Sequence, residues 1–185
     1  MDQADLVISS RLELRPLDEA LLAAFIEGRA DEAAGLLDAE LEPLWPDEHD
    51  AAFLQTRLDD SARHGGVGHW GVRAVVRRSP IRQMIGHAGF HGPPGINALG
   101  LADAVELGYT VFPASRGMGY ATEVVRSLMD WAQRSHGVLR FVASVAPSNA
   151  ASLGVVRKLG FTFVREAHDD IDGLEHVYTV TTPSE

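Results

Sequence analysis

Cysteine is absent from all 185 residues of the chain. Its absence excludes disulfides, thiolate metal ligands and cysteine nucleophiles together, and it agrees with a reducing compartment. The N-terminal stretch Met1–Asp5 is acidic, unlike a signal peptide. No apolar run is long enough to span a bilayer. We therefore expect a cytoplasmic protein without a membrane partner.

Positive charge is also scarce, because 16 Lys and Arg stand against 26 Asp and Glu, for a net charge of -10. This balance disfavours nucleic-acid binding, which needs clustered basic residues. It favours cationic partners such as amines or basic peptides, although solubility alone is an equally good reason for it. With 45% hydrophobic residues the chain has enough apolar surface for a core, and its length predicts a single domain over residues 1–185.

The hydrophobic pattern predicts the element order β-α-α-β-β-β-α-β-α-β-β. Leu12–Pro16 alternates like a strand, and Asp18 stands where a helix N-cap belongs. Apolar residues at steps of three and four predict a long helix from about 119 to 135. The strand–helix–strand unit over 105–145 implies a parallel pair with a right-handed crossover. We expect an α/β fold with a mixed sheet and helices on both faces.

The strongest motif is a strand that runs into a glycine loop, which in turn opens the long helix. The strand is Val105–Phe112, and the loop covers Arg116–Ala121. Small residues allow close approach of a ligand, and the N–H groups at a helix start suit a phosphate. The loop lacks the Gly-Lys-Ser/Thr end of a P-loop and the third glycine of a dinucleotide fingerprint. It therefore predicts a pyrophosphate cradle of another kind, with a plain glycine turn as the alternative.

Two segments give the chain a family resemblance. Arg116-x-x-Gly119-x-Ala121 resembles the Gln/Arg-x-x-Gly-x-Gly/Ala motif of the Gcn5-related N-acetyltransferases (GNAT), and Asn149–Ser152 with Lys158–Phe161 resembles their second motif. Glu106–Tyr109 and Gly119–Glu123 look most like the ribosomal-protein N-terminal acetyltransferase branch, the RimJ/RimL-like group. The resemblance is specific from about 105 to 161.

The resemblance implies acetyl-CoA as cosubstrate and a primary amine as acceptor. Backbone groups of Tyr109, Thr110 and Val111 would bind the pantetheine arm, as a guest strand does. The pyrophosphate would contact the loop that begins at Arg116, and Asn149 would lie near the thiol, with a helix cap as its alternative role. The implied loop residues are Arg116, Gly117, Met118, Gly119, Tyr120, Ala121 and Thr122.

For catalysis, Glu106 is the candidate base, acting through a water, with a structural salt bridge as the alternative. The Tyr that many relatives carry seven residues after the motif Asn is absent, because Val156 stands there. Ser152 is then the candidate acid, and Tyr109 and Tyr120 are two further hydroxyls with core packing as the alternative. If none of these donates a proton, the thiolate leaves unaided.

The substrate side of the chain is less informative. A peptide or protein N-terminus is the leading acceptor and a small cationic amine, such as a polyamine, an antibiotic or a metabolite, is the runner-up. A non-catalytic acyl-CoA sensor is the rival from another class. Trp45 and Pro46 either line the acceptor cleft or anchor a helix break. His87 and His91 read as locally bonded histidines rather than metal ligands, and exposed N-terminal helices would permit a homodimer.

Overall fold

The computed structural model describes residues 5–43, 45–64, 68–169 and 173–183. Within these ranges the secondary structure comprises eight strands and five α-helices. The strands are β1 (Val7–Ile8), β2 (Leu12–Pro16), β3 (Arg73–Arg77), β4 (Gln83–Phe90), β5 (Ala104–Val111), β6 (Arg140–Val145), β7 (Thr162–Asp169) and β8 (Gly173–Thr181). The helices are α1 (Glu19–Ile26), α2 (Ala30–Leu37), α3 (Glu48–His64), α4 (Tyr120–His136) and α5 (Ala150–Lys158).

This order confirms the predicted one, with two additions. The short strand β1 precedes the first predicted strand. The sequence predicts residues 31–63 as helical with a break at Pro43 and Pro46, and they divide there into α2 and α3. The division lies around the two prolines of that region, as expected from their missing backbone donors. The sequence predicts a strand over Trp70–Val76, whereas β3 begins at Arg73.

The chain forms two compact units, of which the first comprises residues 1–88 and 110–118. Its strands β1, β2, β3 and β4 pair in that order, and the pairs are antiparallel. Phe112, which directly follows β5, donates its N–H to the Ile85 carbonyl at 2.8 Å. The core of this unit joins the sheet to α1, α2 and α3. Its buried members are Leu17, Leu21, Leu22, Ala24, Phe25, Ala33, Leu37, Leu54, Val72, Ala74, Val76, Met84 and Phe112.

The second unit comprises residues 89–109 and 119–185. Its strands lie in the order β5-β6-β8-β7, with β5 and β6 parallel and the other neighbours antiparallel. The combination of parallel and antiparallel pairs confirms the predicted mixed sheet. A small apolar cluster on one face consists of Ala104, Val142 and Val177 with partly buried residues of the 98–101 segment packed against it.

Local sequence explains where the helices begin and end. Asp18 accepts the Leu21 N–H at 3.0 Å and so caps α1, as predicted. Helix α4 ends at Gly137, which adopts φ +67° and donates to Gln133 at 2.9 Å, while Val138 donates to Ala132 at 3.2 Å. The bond from Gly137 to Gln133 is that of the αL cap, whose positive φ glycine adopts without steric cost.

We expect Gly86→Ala to destabilise the protein by about 3 kcal/mol, the upper range for an overpacked core. A Cβ at Gly86 would lie 2.0 Å from the Thr110 carbonyl oxygen, and a backbone atom cannot turn aside. Urea unfolding followed by circular dichroism measures the effect.

The matched control is Gly35→Ala in α2, where a Cβ meets no atom within 4 Å. Its greater helix propensity should stabilise the same unit by up to about 1 kcal/mol. Equal stability of the two variants would show that β4 does not approach β5 so closely.

Candidate active site

The central feature of the second unit is a fork between the two parallel strands. The pairing of β5 with β6 ends at Glu106 and Val142. Strand β6 nevertheless stays paired with β8 as far as Val145. Among the described residues of this unit, Leu107, Gly108 and Tyr109 pair with no residue of β6. The backbone edge of β5 is therefore open beyond Glu106, and an extended ligand could hydrogen-bond there.

Glu106 lies at the base of this fork and is buried, with 4% of its side chain exposed. Ser144 Oγ on β6 donates to its Oε1 at 2.6 Å, and the Ala98 N–H donates to its Oε2 at 2.6 Å. Buried carboxylates need such partners, because desolvation of an unpaired charge is costly. Both oxygens are thus already engaged by the protein.

Asn97 holds the segment that delivers the Ala98 amide. Its Nδ2 donates to the carbonyls of Leu101 and Ala104 at 2.8 and 3.1 Å. Its Oδ1 accepts the N–H groups of Leu99 and Leu101 at 3.1 and 3.0 Å. One side chain therefore satisfies four backbone groups and fixes the loop against Glu106.

His91 is the half-exposed neighbour of Glu106. Its Nδ1 lies 3.8 Å from Glu106 Oε1, and 53% of the side chain is exposed. Its backbone N–H donates to the Glu106 carbonyl at 2.9 Å. The ring also covers Gly108, since a Cβ there would lie 3.2 Å from His91 Nε2. The sequence prediction of a locally bonded histidine fits these contacts but did not foresee the carboxylate.

Asn149 and Ser152 lie at the start of α5. Asn149 is the helix cap, because its Oδ1 accepts the Ser152 N–H at 3.0 Å. Burial raises the pKa of Tyr109, and the nearby Ser152 hydroxyl opposes that shift only in part. The buried Tyr109 hydroxyl forms no hydrogen bond with the described residues. Val156, at the position where many relatives carry a Tyr, is buried.

The backbone of β5 presents alternate residues to its two sides. Since the Glu106 carbonyl accepts from His91, the N–H and C=O of Tyr109 point away from that neighbour and toward the open edge. In the first unit, the Phe112 N–H points to β4, so the Val111 N–H points the other way. The Val111 carbonyl accepts Arg116 Nε at 2.9 Å and is occupied. Of the three predicted backbone residues, Thr110 faces β4.

The glycine loop has the backbone that the sequence predicts. A 3-10 turn covers Pro113–Ser115, Gly117 and Gly119 adopt φ +77° and +80°, and α4 follows. Residues 116–119 are exposed. In the described part of the chain, the N–H groups of Gly117, Met118 and Gly119 form no hydrogen bond. Those of Ala121 and Thr122 have no carbonyl within the helix, as in any first turn.

One contact at this loop was not foreseen. Arg11 donates from its Nη1 to the Met118 carbonyl at 3.0 Å. In a trans peptide the carbonyl and the next N–H point in opposite directions, so Arg11 orients the Gly119 N–H away from itself. Two guanidinium groups, those of Arg11 and Arg116, therefore bond to carbonyls of this segment of an acidic protein.

The remaining candidates lie in the first unit. Trp45 packs edge-on against Phe25 with centroids 4.7 Å apart and belongs to the margin of the core, as the anchor alternative predicts. His87 is buried and stacks on Phe53, with its Nε2 3.7 Å from Asp50 Oδ1. Across the described ranges, no three His, Cys, Asp or Glu side chains are placed to hold a metal. No described helix is long and apolar enough to cross a bilayer.

Burial raises the pKa of Tyr109 above its ordinary value of 10.0. We expect this shift to lower the stability of the folded protein at high pH. Above that ordinary value the unfolded chain has lost the phenolic proton, while the folded chain retains it, so stability falls as pH rises. Tyr109→Phe should reduce this loss. Urea unfolding at pH 8 and at pH 11 measures it, and an identical pH dependence in the variant would contradict it.

Known proteins resemble this chain in sequence and in fold. The sequence profile described as "Acetyltransferase (GNAT) domain" matches residues 11–162. The uncharacterized N-acetyltransferase YobR of Bacillus subtilis is 28% identical over 137 residues, covering 70% of this chain and 50% of YobR. The chain spans about half the length of the curated relatives it matches.

Solved structures share the fold, among them two acetyltransferases. One is RimL, a ribosomal L7/L12 α-N-protein acetyltransferase in complex with coenzyme A, with a TM-score of 0.65, 20% identity and coverage of 97% of this chain and 99% of RimL. The other is an acetyltransferase of Salmonella typhimurium that modifies the N-terminal serine of L7/L12, with a TM-score of 0.64, 20% identity and coverage of 96% and 99%. At these identities the likeness establishes the fold.

The predicted family is therefore confirmed, and with it the mixed α/β fold. The roles of the individual site residues stay predictions. The predicted enzyme class, acyltransferase, and the predicted cosubstrate, acetyl-CoA, both agree with this family. Because the profile covers most of the sequence, the chain belongs to the GNAT acetyltransferase family.

Proposed function

We propose that this chain transfers the acetyl group of acetyl-CoA to a primary amine, with a peptide α-amine as the leading acceptor. The observation that carries the proposal is the set of exposed backbone N–H groups before α4, which form no hydrogen bond with the described residues. They follow β5, whose edge is open beyond Glu106. Each half of the cosubstrate has a counterpart there: amides for the pyrophosphate and a strand edge for the pantetheine.

The pyrophosphate is the part for which the loop is best suited. Amides of Gly117, Met118 and Gly119 are unpaired in the described chain, and the positive end of the α4 dipole adds to their attraction for an anion. Ala121 and Thr122 extend this set of amides into the first turn, where the helix offers them no carbonyl. The terminal nitrogens of Arg116 bond to no described residue and supply positive charge in a protein of net charge -10.

The pantetheine would lie along β5 as a guest strand. Tyr109 has both its N–H and its C=O on the open side, and Val111 has its N–H there. The Val111 N–H is the donor proposed for the thioester oxygen, which gains negative charge as the amine attacks. The Val111 carbonyl already accepts a hydrogen bond from Arg116, and the Thr110 backbone faces β4. Both would shape the strand and would not bond to the pantetheine directly.

The energetics of the acceptor favour an α-amine. Deprotonation at pH 7 costs about 4.6 kcal/mol for an ordinary Lys and about 1.4 kcal/mol for an α-amine of pKa near 8. Glu106 at the base of the fork is the only candidate base that the sequence predicts, and one base suits the less costly amine. The similarity in fold to two enzymes of ribosomal L7/L12, one named for α-N-acetylation and one for its N-terminal serine, points the same way.

Protonation of the leaving thiolate falls to the start of α5. Ser152 is the proposed donor, and Tyr109 stands beside it with a buried hydroxyl that has no partner among the described residues. Asn149, which caps the helix, would contact the cosubstrate through its remaining amide donors. A Ser hydroxyl is a poorer acid than a Tyr hydroxyl, so we expect turnover to be slow if Ser152 is the donor.

A different function, acyl-CoA sensing without catalysis, is favoured by one observation. Val156 is buried where many relatives carry the proton-donating Tyr. A small amine as acceptor is the alternative within catalysis. One assay with several acceptors distinguishes the sensor and the small-amine enzyme from the leading proposal.

The test measures thiol release from acetyl-CoA with a synthetic peptide that begins with an unblocked serine, the same peptide with an acetylated N-terminus, and spermidine. We expect release with the unblocked peptide only, and mass spectrometry should show a gain of one acetyl group. Release with spermidine alone would favour the small-amine alternative. Tight acetyl-CoA binding without any release would favour the sensor.

We expect Gly119→Glu to weaken acetyl-CoA binding about 100-fold, or by about 2.7 kcal/mol, because it places a carboxylate where the diphosphate would lie. Isothermal titration calorimetry measures the dissociation constant. Gly137→Glu is the matched control, since Gly137 stands at the other end of α4 with a similar φ of +67° against +80°. It carries the same strain and charge and should bind acetyl-CoA like the unmodified protein. Equal losses in both variants would contradict the loop assignment.

A further inference from the structure

Glu106 is poorly placed to exchange a proton with water by itself. Its side chain is only 4% exposed, and both oxygens already accept hydrogen bonds, from Ser144 and from the Ala98 amide. The loop that carries Ala98 is held by Asn97 through four hydrogen bonds. With only 4% of the side chain exposed, the carboxylate has little surface that water can reach. The geometry suits a fixed charge better than a group that takes up and releases protons.

His91 has the access that Glu106 lacks. Its side chain is 53% exposed, and its Nδ1 lies 3.8 Å from Glu106 Oε1. The ring lies over Gly108, the next residue on the same face of β5, just where the strand leaves its pairing with β6. The absence of a side chain at Gly108 leaves the space that the ring occupies. The imidazole therefore stands at the mouth of the fork with a buried carboxylate behind it.

We propose that His91 accepts the proton that the acceptor amine must lose, and that Glu106 is the carboxylate that positions the imidazole. This role rests on the proposed acetyl transfer and refines the part of Glu106 in it. Imidazole is the side chain best suited to gain and lose a proton near neutral pH. A carboxylate behind the ring both orients it and stabilises the imidazolium that forms.

The ammonium form of the acceptor gives one proton to His91, and the neutral nitrogen forms a bond to the thioester carbonyl carbon. The carbon–sulfur bond then breaks, and its electron pair leaves on the sulfur. Ser152 gives its hydroxyl proton to the thiolate and takes up the second proton of the nitrogen, so that an amide and coenzyme A result. His91 returns the first proton to water, which its exposure allows.

Besides the pair itself, two polar side chains take part in the surrounding hydrogen bonds. Ser144 on β6 donates to Glu106, and the Arg165 guanidinium on β7 donates to the Ala98 carbonyl. Arg165 thereby bonds the peptide segment that binds Glu106, rather than His91 itself. Glu106 is the charged group nearest to His91 in the described chain.

The test is the pH dependence of acetyl transfer by His91→Gln, with the serine peptide as acceptor. At pH 7 we expect kcat to fall about 100-fold, with little change in the KM for acetyl-CoA. The deficit should shrink as pH rises past about 8, because the α-amine then loses its proton to water unaided. Glu106→Gln should show the same recovery at high pH with a smaller loss.

Two further variants separate a role in proton transfer from a structural one. Gly108→Ala should lower kcat about tenfold, because the ring must move a few tenths of an ångström from a Cβ that would lie 3.2 Å away. His176→Gln is the matched control, since His176 also faces a glutamate, with its Nε2 3.4 Å from Glu166 Oε1. It should retain the full rate.

The outcomes distinguish this role from the proposed function. If the unmodified protein acetylates the peptide and His91→Gln does so equally well, or with a deficit that is constant from pH 6 to pH 10, His91 is not the proton acceptor and acetyl transfer stands. If the unmodified protein acetylates neither the peptide nor spermidine, the proposed function fails, and the role of His91 fails with it.

Discussion

The end of pairing between β5 and β6 is the constraint on which the proposed chemistry depends. Strand β6 pairs with β5 only as far as Val142, although it stays paired with β8 through Val145 on its other side. The open edge of β5 therefore retains unpaired polar groups that a ligand can satisfy. The same divergence places a buried carboxylate, Glu106, at the last paired position and an exposed imidazole, His91, beside it. Binding and proton transfer would thus arise from one interruption of a sheet.

The second requirement is a site for phosphate in a protein of net charge -10. Backbone amides meet it without a cluster of basic side chains, because the start of α4 presents N–H groups that no carbonyl of the helix can accept. The two positive φ angles, at Gly117 and Gly119, shape the backbone that exposes them. Arg11 and Arg116 bond to carbonyls of the neighbouring backbone, so that their charges support the amides while their geometry holds the loop.

Glu106 illustrates how a buried charge becomes useful. Its burial would be costly without partners, and Ser144 and the Ala98 amide supply them. Those partners in turn depend on Asn97, which ties the loop together. The carboxylate is therefore held in one place, and a fixed charge can orient a neighbouring ring more reliably than a mobile one. In this view the network serves His91, whose half-exposed ring completes the path to solvent.

The sequence by itself determined the order of the elements apart from β1, the caps at Asp18 and Asn149, and the glycine loop before α4, because periodicity, capping and glycine geometry are local properties of the chain. It also determined the family, through motifs confined to neighbouring residues. Only the tertiary structure decided which residues meet at Glu106. His91, Ala98 and Ser144 lie 15, 8 and 38 positions away along the chain, and no local pattern records the strand register and loop path that join them. The Val111 carbonyl and the Thr110 backbone likewise took their orientation from neighbours on β4 and in the loop, which sequence spacing does not contain.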